Sequence, residues 1–237
     1  MRRFLLLPIL ILAACAATPH QPAAAPRWHT VLVAGDDSLP VWDNATQRMM
    51  TLLGPQASVR RFSDRGRGAE RADPGGVLRA IAGLRPGPGE GCLVFMTMHG
   101  APGQGLIFAP AGLGLPPALL DRALSQGCGE APTVAILSGC YTGIYAAAPV
   151  ARPNRIILTA ARPDRPSFGC GAGEVLTVYD ECLLQALGSD ALGQAALWRK
   201  VASVTNACVS RREQALRVQP SEPQASFGDQ VGSLAVR

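Results

Sequence analysis

The sequence lacks the short motifs that hold the common catalytic metals and nucleotides. It has no C-x-x-C or H-E-x-x-H motif and no cluster of His and Cys residues, so we expect no metal and no cofactor. Gly35-Asp36-Asp37 follows the first predicted strand without the G-x-G-x-x-G fingerprint of a dinucleotide site. Ser138 is not framed by the G-x-S-x-G motif of a serine hydrolase. Any chemistry must therefore come from other side chains.

The chain also lacks a strong excess of charge. Its formal net charge is +5, and removing the two leader arginines, Arg2 and Arg3, lowers this value to +3. A net charge this small gives no electrostatic reason for a polyanionic partner, so we do not expect the chain to bind nucleic acid. No internal repeat or second zone of composition is present. The roughly 210 residues from Arg27 onward suffice for a single α/β domain with a full core.

The apolar run at the N-terminus is too short to span a bilayer. Met1-Arg2-Arg3 precedes the run Phe4–Leu12, which is the pattern of a secretory signal peptide. The run ends in Leu12-Ala13-Ala14-Cys15, which resembles the lipobox of bacterial lipoproteins. An ordinary cleavage site with a chance cysteine is the alternative. We predict a signal peptide over residues 1–14 and lipidation of Cys15, which anchors the chain to a membrane.

The residues after Cys15 predict a tether and an exported domain. Residues 15–27 are rich in Ala and Pro and suit a lipidated tether, and residues 28–237 form the predicted domain. Ala16 is not acidic, which in the lipoprotein resemblance points to the outer membrane, with the domain facing the periplasm. The other cysteines then lie where disulfides persist.

Two apolar runs end in residues that carry chemistry. The run Val94–Met98 ends in His99-Gly100, and the run Val134–Gly139 ends at Cys140. Short runs of β-branched or bulky residues bounded by Gly or Pro are typical of strands buried on both faces of a parallel sheet. Such sheets bind ligands beyond the carboxyl ends of their strands. If these strands are neighbours, they lie roughly 5 Å apart, so the imidazole and the thiol can face one substrate.

Further strands and helices alternate along the chain. This alternation predicts a mostly parallel sheet with helices on both faces. The other strands are predicted at 30–35, 58–62 and 155–160, with a hairpin arm at 105–110 and an edge strand within 219–237. The helices are predicted at 43–53, 74–84, 116–125, 176–187 and 191–216.

The thiol and the imidazole at the two strand ends suggest a catalytic dyad. Of the three histidines, His20 lies in the tether and His29 precedes the first strand, which leaves His99. A thiol activated by a nearby base attacks a carbonyl and forms a thioester. A structural histidine and a buried or disulfide-bonded cysteine are the alternatives. Gly100 and the turn after Gly139 favour catalysis, because they bring a backbone N–H close to a substrate oxygen and expose the sulfur.

These residues resemble the legumain family of cysteine peptidases, within the caspase-like clan. The family pattern is an apolar strand ending in His-Gly and a later apolar strand ending in a small residue and Cys. Three further stretches match the family: Val33–Gly35, Thr159–Arg162, and Ser167–Cys170 followed by Tyr179-Asp180. The resemblance implies a caspase-like three-layer sandwich, with a mostly parallel sheet and helices on both faces.

The resemblance also implies that the chain cleaves polypeptides. It assigns Cys140 as the nucleophile, His99 as the general acid and base, and the N–H groups of Gly100 and Cys140 as oxyanion donors. Two alternatives stay open: a lipoprotein of this fold that binds polypeptides without cutting them, and a transpeptidase that passes the thioester to an amine.

The expected specificity pocket departs from the family. Eukaryotic asparaginyl peptidases place an Arg and a His after the first strand and a Glu before the catalytic Cys. Here Asp43, Asn44 and Ser138 occupy the matching positions. Ser167 matches a serine of the pocket wall, and Asp180 matches the remaining acid. A pocket with two carboxylates and no Arg is expected to select Arg or Lys before the cleaved bond. The alternative for Asp43 is the N-cap of the first helix.

Five of the seven cysteines lie outside the predicted dyad and lipidation site. Cys92 begins one central strand and Cys128 precedes the other, which makes them a reasonable disulfide pair. Cys182 and Cys208, on the two late helices, are a weaker pair. The spacing does not determine the connectivity. With these pairs formed, Cys170 is left as a free thiol.

Overall fold

The computed structural model describes residues 25–55, 57–66, 68–189 and 196–236. The predicted signal peptide at 1–14, the predicted lipidation site Cys15 and most of the tether lie outside these residues. Among the helices described, none is both long enough and apolar enough to cross a bilayer.

A mostly parallel sheet forms the middle layer of the fold. Within the described residues the strands are β1 (Arg27–Ala34), β2 (Ser58–Ser63), β3 (Glu90–Thr97), β4 (Gly100–Ala101), β5 (Gly105–Phe108), β6 (Leu113–Gly114), β7 (Thr133–Ser138), β8 (Arg155–Thr159) and β9 (Gln224–Phe227). Six of them form one sheet in the order β2-β1-β3-β7-β8-β9, and β4-β5-β6 form a small antiparallel sheet. In the large sheet β9 pairs antiparallel with β8 and the other pairs are parallel. The predicted mostly parallel sheet and its edge strand near the C-terminus are confirmed.

Helices cover both faces of the sheet. They are α1 (Val41–Leu53), α2 (Pro74–Ala82), α3 (Pro117–Cys128), α4 (Val178–Gly188) and α5 (Trp198–Leu216). Buried side chains of α1, α4 and α5 pack on one face, and those of α2 and α3 pack on the other. The predicted three-layer sandwich is confirmed.

Alternation along β3 explains how one strand serves both cores. Leu93 and Phe95 pack with α1, α4 and α5, whereas Val94 and Met96 pack with α2 and α3. Successive side chains of a strand point to opposite faces, so an unbroken apolar run supplies both layers. Each buried side chain of this size stabilises the fold by roughly 1.5–3 kcal/mol. His99 lies in the loop that follows β3, beyond these two cores.

The first helix begins earlier than the sequence predicts. Pro40 occupies the N-cap position of α1, and Asp43 lies within the first turn. The alternative that Asp43 is the N-cap was therefore wrong. Proline has its φ fixed near the helical value and no N–H to satisfy, so it starts a helix two residues before the expected site. The start predicted for the last helix, at 191, falls within residues 190–195, which lie outside the described residues.

One disulfide links the sheet to a helical layer, and a second joins two helices of the other layer. Cys92 at the start of β3 is bonded to Cys128 at the end of α3, and Cys182 of α4 is bonded to Cys208 of α5. Both predicted pairs are confirmed. Cys170 is a free thiol, as predicted, and Cys140 is also free.

The disulfide between Cys92 and Cys128 is predicted to stabilise the domain strongly. It closes 36 residues of chain, for which loop entropy predicts about 4 kcal/mol. We expect the variant Cys92→Ala/Cys128→Ala to lose about this much free energy of unfolding, measured by urea denaturation. Cys170→Ala is the control, because it removes a thiol and no cross-link. A loss of less than about 1 kcal/mol in the double variant would contradict the prediction.

Candidate active site

Three neighbouring strands end at the same level of the sheet. Ala34 of β1 is in register with Thr97 of β3, which is in register with Ser138 of β7. The strands that precede His99 and Cys140 are therefore neighbours, which is the condition for the two side chains to face one substrate. Two residues beyond each of these positions stand Asp36, His99 and Cys140. The register therefore brings a carboxylate, an imidazole and a thiol to one edge of the sheet.

Gly100 packs directly on the backbone of Cys140. A Cβ at residue 100 would overlap the Cys140 carbonyl oxygen. A residue with a side chain would push the two strand ends apart, so glycine is required for this close approach. Among the described residues, no backbone oxygen accepts a hydrogen bond from the Cys140 N–H. This N–H is free to serve as an oxyanion donor, as the resemblance implies.

The sulfur of Cys140 is held by Ser167. The Ser167 N–H donates to Sγ at 3.3 Å, and the carbonyl oxygen and Oγ of Ser167 lie 3.5 and 3.7 Å from the sulfur. Tyr141, the next residue, has a φ of 62° although it is not glycine. Such a conformation costs roughly 1–3 kcal/mol and is concentrated at functional sites. A hydrogen bond from the Tyr141 N–H to the Arg165 carbonyl, 2.8 Å long, holds this turn in place.

His99 is accessible and has two neighbours that the sequence interpretation did not identify. Its side chain is 47% exposed, and its Nε2 lies 4.0 Å from Oδ2 of the buried Asp36. The Trp42 ring packs edge-on against the imidazole, with 4.8 Å between the ring centroids. Asp36 is itself oriented by hydrogen bonds from the backbone and hydroxyl of Ser38. The signal that could have found Asp36 is its place at a strand end, two residues past Ala34.

Asp180 lies beneath the site and joins the ends of β3 and β7. The Thr97 hydroxyl donates to Asp180 Oδ2 at 2.7 Å, and the Asp180 N–H donates to the Thr177 hydroxyl at 3.1 Å. Complete burial raises the pKa of Asp180, and interactions with the hydroxyls of Thr97, Ser138 and Thr177 partly offset this rise. In the described residues, no hydrogen bond of good geometry reaches Asp180 Oδ1. Asp180 and Ser138 are thus neighbours, as a shared pocket requires, and one acceptor is left open.

Asp43 is held in a buried ion pair. Arg61 of β2 contacts Asp43 Oδ1 at 2.5 Å, and both side chains are buried. Burial opposes ionisation of Asp43, but hydrogen bonds from Ser63 and Arg61 outweigh it, and its pKa falls below the ordinary value. Gly66 lies against this pair without room for a Cβ. The expectation that no arginine accompanies Asp43 was wrong.

The sequence interpretation missed Arg61 because it stands next to a second arginine in a strand. Arg60 is half exposed and pairs with Glu70, whereas Arg61 points to the opposite face of β2 and is buried. When two arginines are adjacent, the sequence alone does not indicate which of them is buried.

Known proteins resemble this chain in sequence and in fold. A family model described as the Peptidase C13 family matches residues 79–209, which is more than half of the chain. Solved structures match as well, among them caspase-1 from Spodoptera frugiperda. That structure is 12% identical, covers 92% of this chain and 94% of its own, and has a TM-score of 0.61. No curated protein matches. At this identity the structural likeness shows the fold, which is caspase-like.

The ion pair between Arg61 and Asp43 is predicted to be structural. Arg61→Met leaves a buried carboxylate without its cation and should lower the free energy of unfolding by about 3–5 kcal/mol. The variant Asp43→Leu/Arg61→Met should recover most of this loss, since no buried charge is left. Because folding lowers the pKa of Asp43, its ionised form contributes stability at neutral pH, and this contribution is lost as the pH falls from the ordinary value of 3.8 through the lowered pKa.

Urea denaturation at neutral pH measures the effect. A wild-type stability in Arg61→Met, or a double variant less stable than Arg61→Met, would contradict the structural role.

Proposed function

Since this chain belongs to the peptidase C13 family of cysteine peptidases, we propose that it is an endopeptidase that uses Cys140 and His99 as its dyad. The observation that carries the proposal is the common register of three strand ends, from which Asp36, His99 and Cys140 follow at equal spacing. The strained Tyr141 beside the thiol supports it. A scaffold that only binds has no need for a thiol and an imidazole at adjacent strand ends.

The proposed reaction has two steps, acylation of Cys140 and hydrolysis of the thioester. The sulfur of Cys140 attacks the carbonyl carbon while His99 takes the thiol proton, and the N–H groups of Gly100 and Cys140 stabilise the oxyanion. The C–N bond breaks as His99 gives the proton to the leaving amine, which leaves a thioester on Cys140. Water, deprotonated by His99, then attacks the thioester, and the acid product and free thiol are released. An amine in place of water gives transpeptidation.

Asp36 and Trp42 orient the imidazole in this proposal. A buried carboxylate 4.0 Å from Nε2 stabilises the imidazolium that forms when the thiol loses its proton. The edge-on Trp42 ring restricts the rotation of the imidazole. The other ring nitrogen, Nδ1, is then left to exchange protons with the thiol and the leaving amine.

We propose further that the enzyme cleaves after Arg or Lys. The open acceptor on Asp180 supports this preference, because a basic side chain supplies the donors that Oδ1 lacks. Asp43 adds nothing to it, since Arg61 already compensates its charge. Asp180 is fully buried, so a substrate side chain reaches its carboxyl only when neighbouring residues move.

The place of action is proposed to be the periplasmic face of the outer membrane, through a lipid anchor on Cys15. The charged start, the short apolar run and Cys15 in its lipobox-like context support it. Two disulfides suit an exported domain, because disulfides are rare in reducing compartments.

Labelling with a peptidyl electrophile tests the dyad. We expect the wild type to gain the mass of one probe and Cys140→Ala to gain none. His99→Ala should react at least about 100-fold more slowly, because the general base is lost. Cys170→Ala is the matched control and should be labelled like the wild type. Intact mass spectrometry measures the labelling. If no peptidyl probe labels Cys140, the alternative that the chain only binds polypeptides is favoured.

A panel of peptides that differ only in the residue before the cleaved bond tests the pocket. We expect kcat/KM for Arg to exceed that for Asn, and Asp180→Asn to reduce the Arg value about 100-fold, as the loss of a charged hydrogen bond implies. The carboxyl must be ionised, and its pKa is raised. The Arg value should therefore climb as pH increases through this pKa, unlike the Asn value. A higher kcat/KM for Asn than for Arg at neutral pH would contradict the proposed preference.

A further inference from the structure

A second cavity lies at the opposite end of the sheet from the candidate active site. Its volume is about 410 Å³, and it opens between the starts of β1, β3 and α5 and the ends of α1 and α4. Its walls are mainly apolar and include Trp28, Met49, Leu53, Leu93, Leu187 and Trp198. Cavities of this size and character hold small apolar ligands, and apolar cavities are not filled well by water.

Two indole rings form part of the wall. The Trp28 indole N–H donates to the Val236 carbonyl at 3.2 Å. The Trp198 indole N–H is buried, and within the described residues nothing accepts its hydrogen bond. The two indoles pack edge to face, with 6.1 Å between their centroids. An apolar wall built from two indole rings and aliphatic side chains fits an uncharged ligand with a long apolar body, which describes an acyl chain.

The chain itself brings such a ligand close to the cavity. Ala25 and Pro26 are part of the wall, and Cys15, the predicted lipidation site, is ten residues before Ala25. Ten residues of extended chain span at most about 34 Å. A group on so short a tether is present at an effective concentration in the millimolar range. Any free lipid must compete with it.

We propose that this cavity binds one acyl chain of the lipid attached to Cys15. The proposal rests on the predicted lipidation and is independent of peptidase activity. It implies that the end of the sheet where β1 begins faces the membrane. β1 has eight residues and so spans about 26 Å. The candidate active site then faces away from the bilayer by at least that distance, towards soluble polypeptides.

Quenching of tryptophan fluorescence by a brominated fatty acid tests whether the cavity takes an acyl chain. The chain has three tryptophans, and in Trp42→Phe the remaining two, Trp28 and Trp198, both line the cavity. The test protein is the mature chain with Cys15→Ser and Trp42→Phe, which carries no lipid of its own. We expect saturable quenching by micromolar brominated acid, reversed by the unbrominated acid. No saturable quenching would overturn the proposal.

A matched pair of substitutions locates the binding. Ala57→Phe fills the cavity wall, whereas Ala215→Phe adds the same ring on the exposed far end of α5. We expect the first to weaken binding at least tenfold and the second to leave it unchanged. Leu53→Phe is a second filling variant, and thermal unfolding confirms that each variant is folded. Equal binding by folded Ala57→Phe, Leu53→Phe and Ala215→Phe would contradict the site.

Photocrosslinking in membranes tests the source of the acyl chain. In the lipidated wild-type chain, p-benzoylphenylalanine replaces Leu52, a half-buried residue of the cavity wall, or, as the control, Ala215. Mass spectrometry should find the probe at residue 52 joined to the lipid on the N-terminal peptide, and no such product from residue 215. Cross-links from residue 52 to membrane phospholipid alone would overturn the assignment to the chain's own lipid. If the N-terminal peptide carries no lipid, the proposal that the cavity binds the chain's own acyl group is overturned. The labelling of Cys140 tests the proposed peptidase activity separately.

Discussion

The candidate site depends on the contacts that the buried carboxyl group of Asp180 makes with the ends of β3 and β7. This carboxyl group accepts from Thr97, the last residue of β3, and lies beside Ser138, the last residue of β7. Burying a carboxylate without a cation is costly. The hydroxyls around it and its place in the first turn of α4, where the helix dipole favours negative charge, offset part of that cost. One side chain thus links the two strand ends from which the imidazole and the thiol follow.

Close packing of Gly100 and Ser167 against Cys140 also holds the candidate site together. Gly100 lies against the Cys140 backbone, and Ser167 holds the Cys140 sulfur from the other side. Since β3 and β7 are covered by helices on both faces, their ends have little freedom to move. The proposed dyad therefore stands on rigid strand ends, with Ser138 and Asp180 of the proposed pocket beside them.

The two ends of the sheet have opposite character. Polar and titratable groups gather beyond the carboxyl ends of the strands, and an apolar cavity lies at the amino ends, beside the entry of the tether. This polarity gives the domain a direction. If the apolar end faces the lipid, the proposed active site faces the substrates. The same parallel strand order creates both ends, because every parallel strand starts at one and finishes at the other.

The sequence by itself determined the main strands, the layers and the positions of His99 and Cys140. These follow from local patterns: apolar runs bounded by Gly or Pro, and helical spacing. The placement of the cysteines favoured the two disulfide pairs, and the tertiary structure established the connectivity. Only the tertiary structure decided that Arg61 pairs with Asp43, that Asp36 faces His99, and that the cavity exists. Each of these joins residues far apart in the chain. Which buried group meets which partner depends on strand order and packing, and no local propensity encodes that.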